Sequence, residues 1–321
     1  MLSNPYYDQS FVQVFVLFIS RIVALLTGQL SFSNLASDDI QILVLMSVAA
    51  SSALVGSYLV LRRMTMLANS LSHTILIGIV LAYLFSPNEM DASKDNYSYL
   101  PPMQIMLIAA LIMGFLTAFF TEFLTKTGRL QEDASTGIVF TSLFSLGIIL
   151  ATVLTRNVHI GAEAVMGNVD ALQLDDCKLV YAILGLNILF IGLFFKEYKI
   201  TTFDPALSKT LGISTLFFNY LLMTQTSATA VAGFRAVGVL MILAFITGPA
   251  LTARLITHDL KKMIYYAIGF GALASLIGVA LSRHILSVYG MALSTGGLVV
   301  CVIAGLFILT FSLRNFSKDF K

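Results

Sequence analysis

Long apolar segments separated by short polar ones fill most of the chain. Several of them reach about 18 residues or more, the length that an α-helix needs to cross some 30 Å of hydrocarbon. The pattern predicts an all-α, polytopic transmembrane helical bundle. We place nine spans, at about residues 41–60, 66–85, 104–124, 134–155, 177–195, 213–232, 237–257, 263–282 and 291–313.

The first 40 residues are predicted to be an N-terminal extension of the transmembrane domain, which occupies residues 41–321. Residues 11–30 are apolar but carry Arg21 near their centre. They predict an extra helix outside the main bundle, which either spans the membrane or lies in its interface with Arg21 reaching toward water. The first nine residues contain no Lys or Arg, which argues against a cleaved signal peptide.

Several segments predict departures from a simple span. The second half of 213–232 is polar and small, which permits a broken helix facing protein or water. Pro249 should break the span 237–257 and free backbone groups toward a cavity. The half-apolar loop 156–176 forms either a re-entrant helix or a surface loop. Small residues at every fourth position predict close helix packing along a ridge of Ala267, Gly271 and Ser275.

Composition agrees with a membrane protein and narrows its partners. Hydrophobic residues make up 58% of the chain and charged residues 11%, against about 25% charged in a soluble domain. The net charge of +2 gives no sign of nucleic-acid binding. The two cysteines, Cys177 and Cys301, lack the paired spacing of a structural zinc site, so both are predicted to be small packed side chains.

The cations of the short loops predict the orientation, because Lys and Arg concentrate on the cytoplasmic side. With Arg62 inside, the inner loops hold Arg62, Arg63, Lys126, Arg129, Lys196, Lys199, Lys209, Arg254, Lys261, Lys262, Arg314, Lys318 and Lys321. The outer loops hold Lys94, Arg156, Lys178, Arg235 and Arg283. The bias supports the span count, a cytoplasmic C-terminus and an external loop 86–103.

Several kinds of chemistry are missing from the sequence. None of the 17 acidic residues lies deep in a predicted span, whereas proton- and sodium-coupled carriers usually need one there. The chain has no P-loop motif for ATP and no HExxH metalloprotease motif. We therefore predict neither catalytic residues nor a permanently bound cofactor. Any uphill movement must draw its energy from a partner, and an intramembrane enzyme is the disfavoured alternative.

Asn69 and His73 are two polar residues inside the predicted span 66–85, where contact with lipid is unfavourable. They lie four residues apart, so they share one face of a helix, with Ser70 and Thr74 beside them. Neutral imidazole and an amide oxygen are both metal ligands. The pair therefore lines a pathway for a metal ion, or His73 forms a hydrogen bond to another helix and only stabilises packing.

The inner loop 196–212 reads KEYKITTFDPALSKTLG and predicts a short helix on the cytoplasmic face. Asp204 suits an N-cap, Pro205 the first helical position and Gly212 the C-terminal stop. By itself this is a capped linker helix or a docking element for a partner.

Several segments of the chain resemble segments of the permeases of manganese, zinc and iron ABC importers, and they follow one another in the same order. GSYLVLRRMTMLANSLSHTILIGIVLAYL is similar to the family pattern GxYLVLRRMxLLGDALSH. QEDASTGIVFTSLFSLGIIL, VMGNVDAL, FDPALSKTLGIS and AVGVLMILAFITGPALTARLI are similar to further family segments. The resemblance covers about residues 45–313, most of the chain.

The resemblance implies the membrane subunit of an importer for manganese, zinc or iron in the bacterial plasma (inner) membrane. Its partners would be a cytoplasmic ABC ATPase, an extracytoplasmic solute-binding protein and a second permease subunit, identical or similar. The ATPase would dock on Asp204, Pro205, Leu207 and Gly212. The family has an aspartate where this chain has Asn69, so the two ligand sets differ by one charge.

The outer loop and the chemical form of the transported metal each allow two alternatives. His159 and Glu163 in the outer loop share helical spacing and either meet the metal on entry or form a solvated pair. An importer of organic metal chelates, of the siderophore or cobalamin type, is the alternative substrate class, and it should need a wide pore and more spans.

Overall fold

The computed structural model describes residues 5–6, 11–27, 36–85, 103–155, 169, 172 and 174–319. Within these residues the chain folds into helices joined by turns. In chain order the helices are α1 (Phe11–Leu26), α2 (Ser37–Leu61), α3 (Thr65–Phe85), α4 (Met103–Thr127), α5 (Glu132–Thr155), α6 (Leu174–Leu193), α7 (Phe195–Phe203), α8 (Pro205–Thr210), α9 (Thr215–Val237), α10 (Val239–Ile256), α11 (Leu260–Tyr289) and α12 (Thr295–Asp319).

Each predicted span overlaps one long helix of the part of the chain that the structure describes. The helices are α2 to α6 and α9 to α12. Four of them, α2, α10, α11 and α12, are long and apolar enough to cross a membrane, and α6 with α7 makes a fifth candidate bent by 72°. The all-helical architecture is therefore as predicted, while the count of nine spans stays a prediction.

Helix α2 is the centre of the bundle. It packs against α6, α9, α10 and α11, and nearly all of its side chains are buried. A helix that is apolar all round belongs in the interior, because it has no polar face to turn to water. Two of its neighbours, α6 and α9, also meet α2 in a buried hydrogen-bond cluster, in which Asn187 of α6 donates to Ser51 of α2 and Thr229 of α9, each at 2.7 Å.

Small residues allow the helices around α2 to approach closely. The predicted ridge is confirmed: Ala267, Gly271 and Ser275 of α11 are buried, and a Cβ on Gly271 would lie 3.0 Å from the Cβ of Ala49. Gly56 is tighter still, because a Cβ there would lie 1.9 Å from the carbonyl oxygen of Ile246 on α10. Backbone-to-backbone contact of this kind excludes any side chain larger than hydrogen.

The sequence permitted a broken helix in 213–232 and predicted a break at Pro249; the first alternative is not observed and the second prediction is wrong. Helix α9 runs without a break from Thr215 to Val237, because its small polar residues 225–229 are buried against neighbouring helices. Helix α10 also continues through Pro249. Proline removes one hydrogen bond, and the close packing of α10 on α2 and α12 holds the rest of the helix together. Most of the loop 156–176 lies outside the described residues.

Helix α1 packs on α11 and is fixed to the start of α2 by charge. Arg21 forms an ion pair of 2.7 Å with Asp39, and the hydroxyl of Tyr6 donates to the same carboxylate. Arg283 of α11 pairs with the adjacent Asp38. Hydropathy alone allowed Arg21 to lie within a span or to reach toward water from the interface. In the structure Arg21 binds a buried carboxylate of the neighbouring helix.

Candidate functional site

Asn69 and His73 lie on one half-buried face of α3, as their spacing predicts. The adjoining face, with Ser70, Leu71 and Thr74, is fully buried. There the hydroxyl of Thr117 on α4 donates to that of Thr74 at 3.0 Å. Helix α3 is therefore bonded to α4 through Thr74, next to the half-buried face that carries the candidate ligands.

Two aromatic rings of α5 cover His73. The centroids of Phe140 and Phe144 lie 5.3 and 5.4 Å from that of the imidazole, and the two phenyl rings stack on each other at 5.7 Å. No residue that the structure describes forms a hydrogen bond with the imidazole. The ring is thus surrounded by apolar contacts on the α5 side, and its nitrogens keep their capacity to bind a ligand.

Sequence reasoning missed Phe140 and Phe144. They lie four residues apart in EDASTGIVFTSLFSLG, so one face of α5 presents both. That spacing was available, but phenylalanine in an apolar helix is the expected residue, and only the packing of α5 on α3 gives it a partner.

The sequence predicts two further candidate metal ligands. His159 and Glu163 lie outside the described residues. Across the described ranges, no group of three His, Cys, Asp or Glu side chains is placed to hold a metal ion.

The predicted cytoplasmic helix is present as α8. The carboxylate Oδ1 of Asp204 accepts the backbone N–H of Leu207 at 2.9 Å, and Pro205 is the first helical residue. At the other end Gly212 has φ +74°, a conformation that favours glycine. The backbone N–H groups of Gly212 and Ile213 bond to the carbonyls of Lys209 and Ser208, which completes a Schellman motif.

Helix α8 also presents an apolar surface outward. Leu207 and Leu211 are 47% and 57% exposed, and Phe203 just before the helix is 52% exposed. Ser208 is the buried residue of α8, and its hydroxyl donates to the carbonyl of Ile213. A helix that is capped at both ends and has exposed leucines can serve as a docking surface for another protein.

Comparisons with known proteins agree with this arrangement. Residues 40–314 match the ABC 3 transport family. The "Probable metal transport system membrane protein" of Chlamydia muridarum is 41% identical over 307 residues, 96% of this chain and 93% of that protein. The manganese transport system membrane protein MntD of Bacillus subtilis is 36% identical over 244 residues, 72% of this chain and 78% of that protein.

A solved structure shares the fold. PsaBC from Streptococcus pneumoniae, in complex with Fab, superposes with a TM-score of 0.71 at 26% identity. The superposition covers 90% of this chain and 95% of the compared chain.

Proposed function

The chain belongs to the ABC 3 transport family, and we propose that it is the membrane permease subunit of an ATP-driven importer for a divalent transition-metal ion. The observation that carries the proposal is the family match over residues 40–314, together with relatives named as metal transport proteins. The permease itself performs no covalent chemistry. Manganese is the first candidate cargo, because the Bacillus subtilis relative is named for it, and zinc and iron follow.

Transport proceeds by alternating access. Two permease subunits form the pathway in the plasma membrane, nine spans each, with residues 1–40 as an extension of the permease domain and the C-terminus in the cytoplasm. A solute-binding protein delivers the metal outside, and a cytoplasmic ATPase drives the cycle through α8. The exposed Leu207 and the two caps of α8 support this docking role.

The ion travels along the face of α3 that carries Asn69 and His73. The imidazole and the amide oxygen replace part of the hydration shell without adding a fixed charge, which keeps binding weak enough for release. The stacked rings of Phe140 and Phe144 beside the imidazole form an apolar constriction, of the kind that closes a pathway by excluding water. His159 and Glu163 are the candidate residues at the outer entrance.

Uptake by the purified complex tests the function. The permease and its ATPase are reconstituted in vesicles with the solute-binding protein, and uptake of manganese, zinc and iron is measured singly and in competition. We expect ATP-dependent accumulation of at least one free metal ion. Preference for an organic metal chelate, or uptake without ATP, would contradict the proposal.

Docking through α8 is tested by removing both of its caps. Asp204→Ala removes a cap of about 1 kcal/mol, and Gly212→Val places a β-branched residue at positive φ for roughly 1–3 kcal/mol more. Co-purification of the ATPase should fall roughly tenfold or more, since 1.4 kcal/mol is tenfold in an equilibrium constant, while the permease still accumulates.

The matched control is Gly290→Val. Gly290 caps α11 with φ +64° and open space around it, so the backbone strain is the same at a different site. ATPase binding should persist in this control. Normal co-purification with the Asp204→Ala, Gly212→Val protein would show that α8 is only a linker.

A further inference from the structure

Arg62 makes contacts that its place at the end of α2 does not require. All three of its guanidinium nitrogens donate to side chains of other helices. Nε donates to the hydroxyl of Thr202 at 3.0 Å, Nη2 to that of Thr201 at 2.9 Å, and Nη1 to the amide oxygen of Asn219. A planar guanidinium can hold several acceptors in a fixed arrangement, which a lysine ammonium cannot reproduce.

The three acceptors lie on both sides of α8 in the chain. Thr201 and Thr202 lie in the last turn of α7, three and two residues before the cap Asp204. Asn219 belongs to the first turns of α9, after α8. The segment that carries α8 therefore begins and ends beside the side chain of Arg62. A displacement of α8 that also moves the end of α7 or the start of α9 changes the distance from Arg62 to at least one of these acceptors.

Arg62 is also joined tightly to α3. The turn of residues 62–64 is closed by bonds from the N–H of Arg63 to the carbonyl of Val60 and from the N–H of Met64 to that of Leu59. Arg63 has φ +60°, and the side chain of Met64 is buried. Helix α3 begins at Thr65, so Asn69 and His73 follow Arg62 by about two and three helical turns.

We propose that Arg62 is a positioning residue that couples movement of α8 to α3, and through α3 to the candidate ligands of the ion. The inference rests on the proposed transport function. The acceptors in these three bonds are neutral side chains, so no acceptor carries a charge that would fix Arg62 in a single ion pair, and the bonds can exchange as α8 moves. Arg63 in the same turn is exposed, so Arg62 is the arginine of the pair that faces the helices around α8.

The test compares Arg62→Gln with Arg63→Gln, which removes the same charge from the same turn. Both are reconstituted with the ATPase, and metal uptake and ATP hydrolysis are measured on one sample. For Arg62→Gln we expect about a tenfold fall in ions transported per ATP hydrolysed, because three hydrogen bonds to a charged group are lost. Hydrolysis and ATPase co-purification should stay near wild type. Arg63→Gln should keep the wild-type ratio.

Thr202 gives an independent variant that leaves the arginine in place. Thr202→Val removes the acceptor of Nε at nearly constant volume and should lower the transport ratio, whereas Thr202→Ser keeps a hydroxyl and should restore it. This pair decides the question if the Arg62→Gln protein fails to accumulate. A wild-type ratio in both Arg62→Gln and Thr202→Val would overturn the inference.

Loss of ATPase binding or accumulation in Thr202→Val, with an unchanged ratio in the remaining complex, would also overturn it, because Arg62 would then only stabilise the fold. Failure of the proposed function is distinguishable from these outcomes. In that case the wild-type complex itself shows no ATP-dependent metal uptake.

Discussion

Replacing His73 with alanine should abolish metal uptake. We expect a loss of at least about 100-fold at limiting metal, because changing even a group one shell removed from a metal typically costs 10–100-fold in affinity. Uptake by the reconstituted complex measures the effect, and the protein level and bound ATPase should stay normal. His258→Ala is the matched control, because His258 is an exposed histidine between α10 and α11.

Asn69→Asp probes the same face in the opposite direction. It restores the aspartate of the family pattern and adds one negative charge one helical turn from His73. Metal preference should change or binding should tighten, while transport continues. Normal uptake by His73→Ala would assign the histidine to packing against Phe140 and Phe144, and so would a loss of uptake that follows only from poor accumulation.

Replacing Gly56 with alanine should prevent normal packing of the bundle. The added Cβ would lie 1.9 Å from the carbonyl oxygen of Ile246 and 2.8 Å from its carbon, so α2 and α10 must separate. Overpacking of this kind costs typically about 1–3 kcal/mol, and backbone contact leaves no side chain that can move aside. Thermal unfolding in detergent should shift down by several degrees, and less protein should accumulate.

Gly185→Ala is the control for that experiment. Gly185 lies within α6, and nothing lies within 4 Å of a Cβ built there. Alanine in an open helical position is favoured over glycine by roughly 0.5–1 kcal/mol, so this variant should be as stable as wild type or more so. If Gly56→Ala melts at the wild-type temperature, the contact between α2 and α10 is looser than the structure describes.

Features set by local sequence were predictable. Hydrophobic length placed a helix on every predicted span, and three residues, Asp204, Pro205 and Gly212, were enough to delimit α8. Their chemistry acts within one or two turns of the chain, so spacing encodes it directly. The shared face of Asn69 and His73 follows from helical periodicity in the same way.

Features set by contacts between distant segments were not predictable. Pro249 is an irregularity in the sequence, yet the packing of α10 keeps the helix intact around it. The rings over His73 come from α5, and the acceptors of Arg62 lie about 140 to 157 residues away. Single-sequence periodicity gives each helix a face but does not say which helix that face meets.

The two buried carboxylates at the start of α2, Asp38 and Asp39, meet their partners at different times during synthesis of the chain. Asp39 meets Arg21 and Tyr6, which precede it by 18 and 33 residues, so that pairing becomes available as soon as α2 leaves the ribosome. Arg283, the partner of Asp38, follows 245 residues later. At about 5–20 residues per second the delay is roughly 12–50 s. Arg21 and Tyr6 can therefore bind Asp39 early in translation, whereas Asp38 meets Arg283 of α11 only near its end.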